Sequence, residues 1–456
     1  MRYWRHLSPS SLFVGSFALL IALGTLGLLV LPGLYTGTRL GVIDALFTIT
    51  SGVCVTGLVV VDTGAHFTFW GQLWILVFIQ LGGLGVVTLS SAIIGMLGHR
   101  LSLRSALMTV ATVRETHGRE LARLTWAVTR YIFAIEAAGT LLLWAQWAPR
   151  HGVVKGLWHA VFHAVSATCN AGFSTHVGNL VGDARRPGVL ITISALIVLG
   201  GLGYLAIGEL VAWWRAGGLR GPRRLSTHTY AVVWTTAGLL VAGTALLLVF
   251  EWRGVLAPFD LVDKVANAWF MSVTPRTAGF NAVGYGEITN ASGYLCVLLM
   301  FVGGSPGSTA GGVKTTALAV VLALGVSRLR GRRYAEINHR AIPDSTVQRA
   351  VSLTLLSFIL ITACVFVLCI TETHGLSPAL ARQKFLPLIF EAVSAFGTVG
   401  LSMDLTPALT SVGKLVIIAL MFIGRVGPLT LVAAIALRAT ARPAELRPAR
   451  EDLVIG

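Results

Sequence analysis

One short motif occurs four times in this sequence, as Val55-Thr-Gly-Leu58, Asn170-Ala-Gly-Phe173, Thr277-Ala-Gly-Phe280 and Thr398-Val-Gly-Leu401. In each copy two small or branched residues precede a glycine, and a bulky apolar residue follows it. A half-apolar segment stands directly before each copy: Ile43–Ser51, Leu157–Ser166, Lys264–Ser272 and Leu386–Ser394. Each segment is too short to cross a bilayer, which takes about 20 helical residues. The pattern therefore predicts four re-entrant half-helices, each followed by a glycine loop.

A second glycine landmark follows each motif at a nearly constant distance. The landmarks are Gly82-Gly-Leu-Gly85, Gly200-Gly-Leu-Gly203, Gly303-Gly-Ser-Pro-Gly307 and Gly424-Arg-Val-Gly427, and they begin 24 to 28 residues after the motif glycine. A single glycine pair in an apolar helix indicates only close helix packing. Two landmarks that recur four times in the same order predict four tandem repeats of one structural unit.

Long apolar runs flank each half-helix and complete the repeat. The predicted first spans are about Leu12–Leu31, Tyr131–Trp147, Tyr230–Trp252 and Ala350–Ile370, and the second spans are about Trp70–Leu97, Val189–Trp214, Gly293–Val326 and Val412–Leu437. The repeats then occupy residues 1–98, 99–216, 217–333 (with a broken second span) and 334–456 (with a C-terminal tail). We predict an all-α integral membrane protein in which eight spanning helices and four pore loops surround a single pore, as in potassium channels.

Composition and charge agree with a membrane location. Only 12% of the 456 residues are charged, whereas soluble proteins carry about 25%. The net charge of +16 comes from basic residues in the polar segments between repeats and in the tail, not from one face. Basic loops mark the cytoplasmic side, so we expect both termini in the cytoplasm and no nucleic-acid partner. The first apolar run is longer than that of a signal peptide, so we expect it to be retained.

The glycine loops suit a monovalent cation. A loop with glycine can direct successive carbonyl oxygens inward, because glycine adopts backbone angles that other residues avoid. Rings of carbonyls replace an ion's hydration shell, and the C-terminal ends of half-helices add negative potential. The predicted K+-binding residues are Val55, Thr56, Gly57, Asn170, Ala171, Gly172, Thr277, Ala278, Gly279, Thr398, Val399 and Gly400. No ring of carboxylates accompanies them, which argues against divalent cations.

The third repeat carries a candidate gate. Its second span is interrupted by the segment 303–316, in which five glycines and Pro306 oppose a helix. We interpret it as a flexible loop below the filter; a simple kink is the alternative. Arg425 stands at the landmark position where the other repeats have glycine, so we expect it to bring positive charge into the path and to hydrogen-bond the loop. Lys314 either acts in the gate or snorkels towards the cytoplasm.

The predicted gate residues are Gly303, Gly304, Ser305, Pro306, Gly307, Ser308, Thr309, Ala310, Gly311, Gly312, Lys314 and Arg425. The run from Gly307 to Thr315 is one residue out of register with a phosphate-binding loop, and no strand precedes it, so we reject that interpretation. Three further polar positions remain open. His159 and His163 pack or face a cavity rather than bind metal, and Glu391 either attracts cations or caps the structure.

With these motifs the chain resembles the Trk/Ktr/HKT superfamily of potassium transporters, and most closely its KtrB branch, the membrane subunits of bacterial Ktr uptake systems. The resemblance rests on segments 53–63, 170–175, 274–281, 303–316 and 397–402 and on Arg425. The sequence begins with the first repeat, without the additional N-terminal spans of TrkH-like members, which favours the KtrB branch.

The resemblance implies K+ uptake across the bacterial cytoplasmic membrane, with filter glycines at positions 57, 172, 279 and 400 and an intramembrane gate at 303–316. It implies a homodimer with one pore per subunit, docked on a cytoplasmic ring of KtrA-like, RCK-type subunits that bind ATP or ADP. This chain would bind no cofactor other than K+ and, since sodium stimulation is common in Ktr systems, Na+.

Two other functions were weighed. A less selective channel or transporter for Na+ and K+ is the alternative within transport. An intramembrane enzyme is the alternative from another class, because Ser305, Ser308 and several histidines offer nucleophilic chemistry. No serine is paired with a histidine at a recognisable spacing, and an enzyme would have no use for the fourfold repeat. We therefore expect no enzymatic activity.

Overall fold

The computed structural model describes residues 9–98, 113–218 and 224–428. Within these ranges it is almost entirely helical, with one short hairpin that pairs β1 (Glu336–Ile337) with β2 (Arg340–Ala341). The all-α prediction is therefore confirmed. The basic residues Arg100 and Arg104 and the tail to residue 456 lie outside the described residues, as does the end of the predicted span Val412–Leu437.

The helices follow the predicted order of the four repeats. The first spans are α1 (Pro9–Val30), α5 (Val113–His151), α9 (Thr227–Glu251) and α13 (Asp344–Thr373). The half-helices are α2 (Val42–Val53), α6 (Val153–Cys169), α10 (Leu261–Val273) and α14 (Pro378–Gly397). The second spans are α4 (Phe69–Gly98), α7 (Pro187–Gly201) with α8 (Tyr204–Arg215), α11 (Asn290–Phe301) with α12 (Thr315–Leu329), and α15 (Ser411–Val426). A one-turn helix, α3 (Thr63–His66), follows the first glycine loop.

Several of these helices are long and apolar enough to cross a membrane. Among the described residues, Trp126–His151, Thr227–Glu251 and Asp344–Thr373 meet this condition singly, and α7 with α8 meets it as a bent pair. Helices α1 and α4 are 22 and 30 residues long. Large apolar side chains on these helices, such as Phe358 and Ile370 on α13, are exposed, as expected for residues that face lipid.

The second span of the second repeat differs from the prediction. The prediction of one span over Val189–Trp214 is wrong in its geometry. Helix α7 ends at Gly201, and α8 continues at an angle of 104° to it. Gly203 stands at the break with φ +81°, and a Cβ at this position would lie 2.5 Å from the carbonyl oxygen of Pro306. Glycine is required here both by its backbone angle and by the close approach of the 303–314 segment.

Neighbouring repeats contact each other in the order one, two, three, four, one. Trp158 donates to Gln72 across repeats two and one at 2.8 Å, and Asn267 donates to the carbonyl of Ala184 across repeats three and two at 2.7 Å. Tyr285 of repeat three packs against Phe390 of repeat four. The circle closes through an ion pair of 2.7 Å between Lys414 at the start of α15 and Asp44 on α2. The four repeats thus enclose one axis.

In repeats three and four a buried carboxylate joins the first span to the second span of the same repeat. In repeat three, Glu251 accepts hydrogen bonds from the backbone N–H and the hydroxyl of Thr289, both at 2.8 Å. In repeat four, Glu372 accepts the equivalent pair from Thr410. Each threonine is the N-cap of the following helix. The carboxylates therefore neutralise helix N-termini, where negative charge is stabilising, and Glu209 does the same for α9 through Ser226.

We expect the substitution Glu251→Ala to destabilise the protein by about 1–2 kcal/mol, because it removes a buried carboxylate and leaves the backbone donors of Thr289 and Val255 without this acceptor. The measurement is the midpoint of thermal unfolding in detergent. Glu287→Ala is the matched control, since Glu287 lies close by in sequence and is exposed. Equal midpoints for the two variants would contradict the capping role of Glu251.

Candidate ion pathway: filter loops, outer mouth and inner loop

Each glycine motif adopts the same alternating backbone conformation. The glycines have φ of +99° (Gly57), +69° (Gly172), +77° (Gly279) and +94° (Gly400). The residue two positions earlier is also left-handed, with φ of +55° at Val55, +61° at Asn170, +69° at Thr277 and +52° at Thr398. The residue between them has negative φ. The same unusual backbone pattern therefore recurs in all four loops.

The carbonyl groups before the four glycines form a closed ring. A Cβ placed on Gly57 would meet the carbonyl oxygen of Ala171, and one on Gly172 would meet that of Ala278. Gly279 faces the carbonyl oxygen of Val399 in the same way, and Gly400 faces that of Thr56. Each loop therefore presents an oxygen beside the glycine of the loop before it, and the fourth loop returns to the first. The predicted filter residues are brought together around the axis.

Hydroxyl groups fix the loops from behind. The N–H groups of Gly57 and Gly400 donate to Ser51 at 3.0 Å and to Ser394 at 3.1 Å. In the second and third repeats, the hydroxyls donate instead to the carbonyl after the glycine. Ser166 bonds to Phe173 at 2.8 Å, and Thr274 bonds to Phe280 at 2.6 Å. All of these groups are buried, so each loop is held rigidly at the end of its half-helix.

An open cavity of 310 Å³ lies on the half-helix side of the ring. It reaches Gly57, Gly279 and Gly400, and the carboxylates of Asp62 and Asp404 line its wall. We call this cavity the outer mouth, following the side that the charge pattern assigns to the exterior. Two carboxylates beside a low-dielectric opening raise the local concentration of cations.

Glu391 is part of the filter scaffold rather than of the outer mouth. It is fully buried on α14 and accepts hydrogen bonds from Ser402, at 2.7 Å, and from Thr406. Both donors lie in the segment that leaves the fourth filter loop. Of the two roles considered from the sequence, the geometry favours the structural one.

The segment from Val302 to Lys314 is non-helical and lies across the other side of the filter; we call it the inner loop. Gly303 packs against the side chain of Thr277, and Gly311 packs against that of Thr398. The hydroxyl of Thr309 donates to the carbonyl of Thr168, at the end of α6, at 3.1 Å. The inner loop therefore touches the base of the second, third and fourth filter loops.

The inner loop is also bonded to the break between α7 and α8. The N–H of Ser305 donates to the carbonyl of Gly201 at 2.9 Å, and the N–H of Tyr204 donates to that of Gly307 at 3.3 Å. The broken second spans of repeats two and three thus interlock. The predicted gate residues between Gly303 and Gly312 lie together in this one structure.

Two cations contact the carbonyls of the inner loop. Arg425, only 5% exposed, donates to the carbonyl of Thr309 and, at 3.1 Å, to that of Gly82 in the first repeat. Lys314 donates to the carbonyl of Ala310 at 2.5 Å. The expected contact of Arg425 with the loop is present, and Lys314 turns back onto the loop instead of extending away from it.

Two parts of this site were not predicted from the sequence. The left-handed residues at positions 55, 277 and 398 are β-branched, and such residues rarely have positive φ; only Asn170, a residue that tolerates this conformation, gave a signal. Arg276, buried beside the third filter loop, was not assigned a role. Its guanidinium lies 3.4 Å from the carbonyl of Gly303, where the inner loop begins.

Comparisons with known proteins agree on one family. Residues 14–441 match the family model TrkH, described as a cation transport protein. The chain is 36% identical to the potassium/sodium uptake protein NtpJ of Enterococcus hirae, over 100% of this chain and 99% of that protein. It is 36% identical to Ktr system potassium uptake protein B of Bacillus subtilis, over 94% and 93%. The crystal structure of the potassium transporter TrkH from Vibrio parahaemolyticus superposes with a TM-score of 0.74 at 18% identity, over 97% of this chain and 87% of that one.

We expect the substitution Gly400→Ala to reduce monovalent-cation flux by about tenfold or more, because its methyl group would overlap the carbonyl oxygen of Thr56 and left-handed alanine costs about 1–2 kcal/mol. The measurement is flux through the purified protein in liposomes. Gly284→Ala is the control, since Gly284 has φ −68° and its nearest atoms for a Cβ lie 3.7 Å away. Normal flux in Gly400→Ala would argue against a carbonyl ring at this position.

Proposed function

Because the chain belongs to the TrkH family of cation transport proteins, we propose that it takes up potassium ions across the bacterial cytoplasmic membrane through the ring of filter carbonyls. The observation that carries this proposal is the closed circuit of Thr56, Ala171, Ala278 and Val399 oxygens beside the four glycines. Potassium sheds its hydration shell readily when carbonyl oxygens replace it. The resident ion is the cargo, and no other cofactor is required of this chain.

The outer mouth supplies the ion and the half-helices stabilise it. Asp62 and Asp404 concentrate cations in front of the filter. The C-terminal ends of α2, α6, α10 and α14 end at the filter loops, and their partial negative charges favour a cation on the axis. Both termini lie in the cytoplasm in this arrangement, and the half-helices enter from outside.

The inner loop is the proposed gate. It lies under three of the four filter loops and is fixed by Arg425 from the fourth repeat. While the loop occupies this position it blocks the path from the filter to the cytoplasm. Conduction then requires that the Thr309–Arg425 contact and the bonds to Gly200 and Gly201 break.

We propose that the loop is controlled by a partner. Two relatives are named as uptake proteins of a Ktr system. These names support the proposal that this chain assembles with other subunits of such a system. The chain would form a homodimer, with one pore per subunit, on a cytoplasmic RCK-type ring that binds ATP or ADP. The nucleotide would then act on the inner loop through the cytoplasmic segments of this chain.

A less selective Na+ and K+ pathway is the second candidate. The relative from Enterococcus hirae is named for both ions, and it is as similar to this chain as the Bacillus subtilis protein is. The four filter loops are unequal at the position two before the glycine, so fewer well-formed ion sites are expected than in a filter of identical copies.

Expression of the chain should allow a bacterium that lacks potassium uptake to grow on low-potassium medium. In liposomes, rubidium flux should exceed sodium flux by about tenfold or more, since carbonyl rings favour the larger ion. Equal rubidium and sodium fluxes would favour the second candidate. Failure both to rescue growth and to conduct either ion would exclude both candidates.

Deletion of residues 307–312 should raise rubidium flux, because it removes the part of the loop that crosses the axis. The substitution Arg425→Gln should raise it as well, since a hydrogen bond from a charged group contributes about 1.5–3 kcal/mol to the closed loop, equivalent to a shift of tenfold or more. The exposed Arg253 provides the control Arg253→Gln. Unchanged or lower flux after the deletion would contradict the gate.

A further inference from the structure

Four histidine rings form a cluster beside the second filter loop. His176 lies within 5.2 Å of the ring centroids of His151, His159 and His163, with centroid distances of 5.2, 4.7 and 4.8 Å. The rings come from α5, α6 and the segment after the filter. Imidazole nitrogens bind protons near neutral pH, so the cluster offers several proton-binding groups in one place.

The cluster forms a path from the exterior to the filter. His151 is exposed at the end of α5, His159 and His176 are partly buried, and His163 is fully buried. Protons from the outside solution therefore reach the first ring directly and the inner rings through their neighbours. Imidazole is the side chain that changes charge between pH 5 and 8.

The inner histidines hold the second filter loop. His163 places Nδ1 2.7 Å from the carbonyl of His159, which makes Nδ1 the donor and leaves Nε2 to accept from the hydroxyl of Ser174 at 2.9 Å. His159 Nδ1 lies 2.6 Å from the hydroxyl of Thr175. Ser174 and Thr175 directly follow Gly172-Phe173. The His163 ring also stacks on Phe280, next to the third filter glycine.

Both signs of charge surround the cluster. Asp183 lies 3.4 Å from His176 but already pairs with Arg186 at 3.3 Å. The carboxylate of Asp62, which lines the outer mouth, accepts from the backbone N–H groups of Ala65 and Gly178. The other charged groups near the rings, Arg150 and Lys155, are positive. A proton on His151 or His176 therefore weakens the attraction of the outer mouth for a cation.

We propose that His151 and His176, at the rim of this cluster, form an external proton-binding site that lowers cation conduction when it is charged. Added positive charge at the rim opposes a cation in the neighbouring filter, and His159 and His163 connect the rim to Ser174 and Thr175 beside the second filter loop. The proposal rests on the proposed function, because it requires a cation path at the second filter loop.

The test is initial rubidium uptake by uptake-deficient cells that express the full chain, after the external pH is stepped from about 7.5 to about 5.5. We expect the wild-type rate to fall by roughly fivefold, the order of effect of a unit charge near the ion path. In the double variant His151→Gln/His176→Gln, at the rim of the cluster, the rate at pH 7.5 should be retained and the fall should be lost. The single variants His151→Gln and His176→Gln should each reduce the fall and cover the case in which the double variant does not fold.

His374→Gln is the matched control. His374 is exposed and directly follows α13, the first span of repeat four, as His151 ends the first span of repeat two, and its variant should keep the wild-type fall. A wild-type rate that does not change with pH, or an equal fall in folded cluster variants, overturns the proposal. Absence of wild-type uptake at both pH values overturns the proposed function and this site together.

Discussion

The backbone of each filter loop must hold two residues of positive φ that are separated by one residue of negative φ, and the rest of the fold supports this requirement. At Val55, Thr277 and Thr398 the left-handed residue is β-branched, at a cost of about 1–3 kcal/mol each. Such strain persists only where the surroundings leave no alternative. The half-helix ends, the serine and threonine hydroxyls and the neighbouring loops supply these surroundings. The alternation is what brings one carbonyl oxygen from each repeat to the axis.

The four repeats are alike at the glycine loops and unlike in their second spans. The half-helices and filter loops share one geometry in all four copies. The second spans differ: α4 is continuous, α7 and α8 meet at 104°, the third is opened by the inner loop, and α15 ends at Gly427 with φ +89°. The breaks in repeats two and three are bonded to each other through Gly201, Ser305, Tyr204 and Gly307. A symmetric set of spans would offer no such single loop across the axis.

The repeats, the half-helices and the glycine loops could be predicted from the sequence. They depend on residue types within a few positions of each other and on the nearly constant spacing of the glycine motifs. The inner loop was also predictable, since five glycines and a proline cannot continue a helix. The break at Gly203 was not, because Gly82-Gly-Leu-Gly85 and Gly200-Gly-Leu-Gly203 are identical and only the second bends. The difference is the carbonyl of Pro306, which approaches Gly203 from a distant part of the chain. The histidine cluster is a second case of contacts between distant parts of the chain. The sequence placed His159 and His163 on one helix, but it did not show that His151 and His176 lie beside them.

The three basic side chains next to the inner loop are bonded to carbonyls rather than to carboxylates, and this arrangement fits the proposed role of the loop as a gate. Arg425, Lys314 and Arg276 contact the carbonyls of Thr309, Ala310 and Gly303, and within the described residues none of the three forms a salt bridge. Removing one member of a buried ion pair costs about 3–5 kcal/mol, because it leaves a charge without compensation. A carbonyl that leaves a guanidinium gives up a hydrogen bond of about 1.5–3 kcal/mol and can find another donor. In the proposed gate, a loop held by such bonds costs less to displace than one held by ion pairs, and these three contacts contain no carboxylate that would itself retain K+.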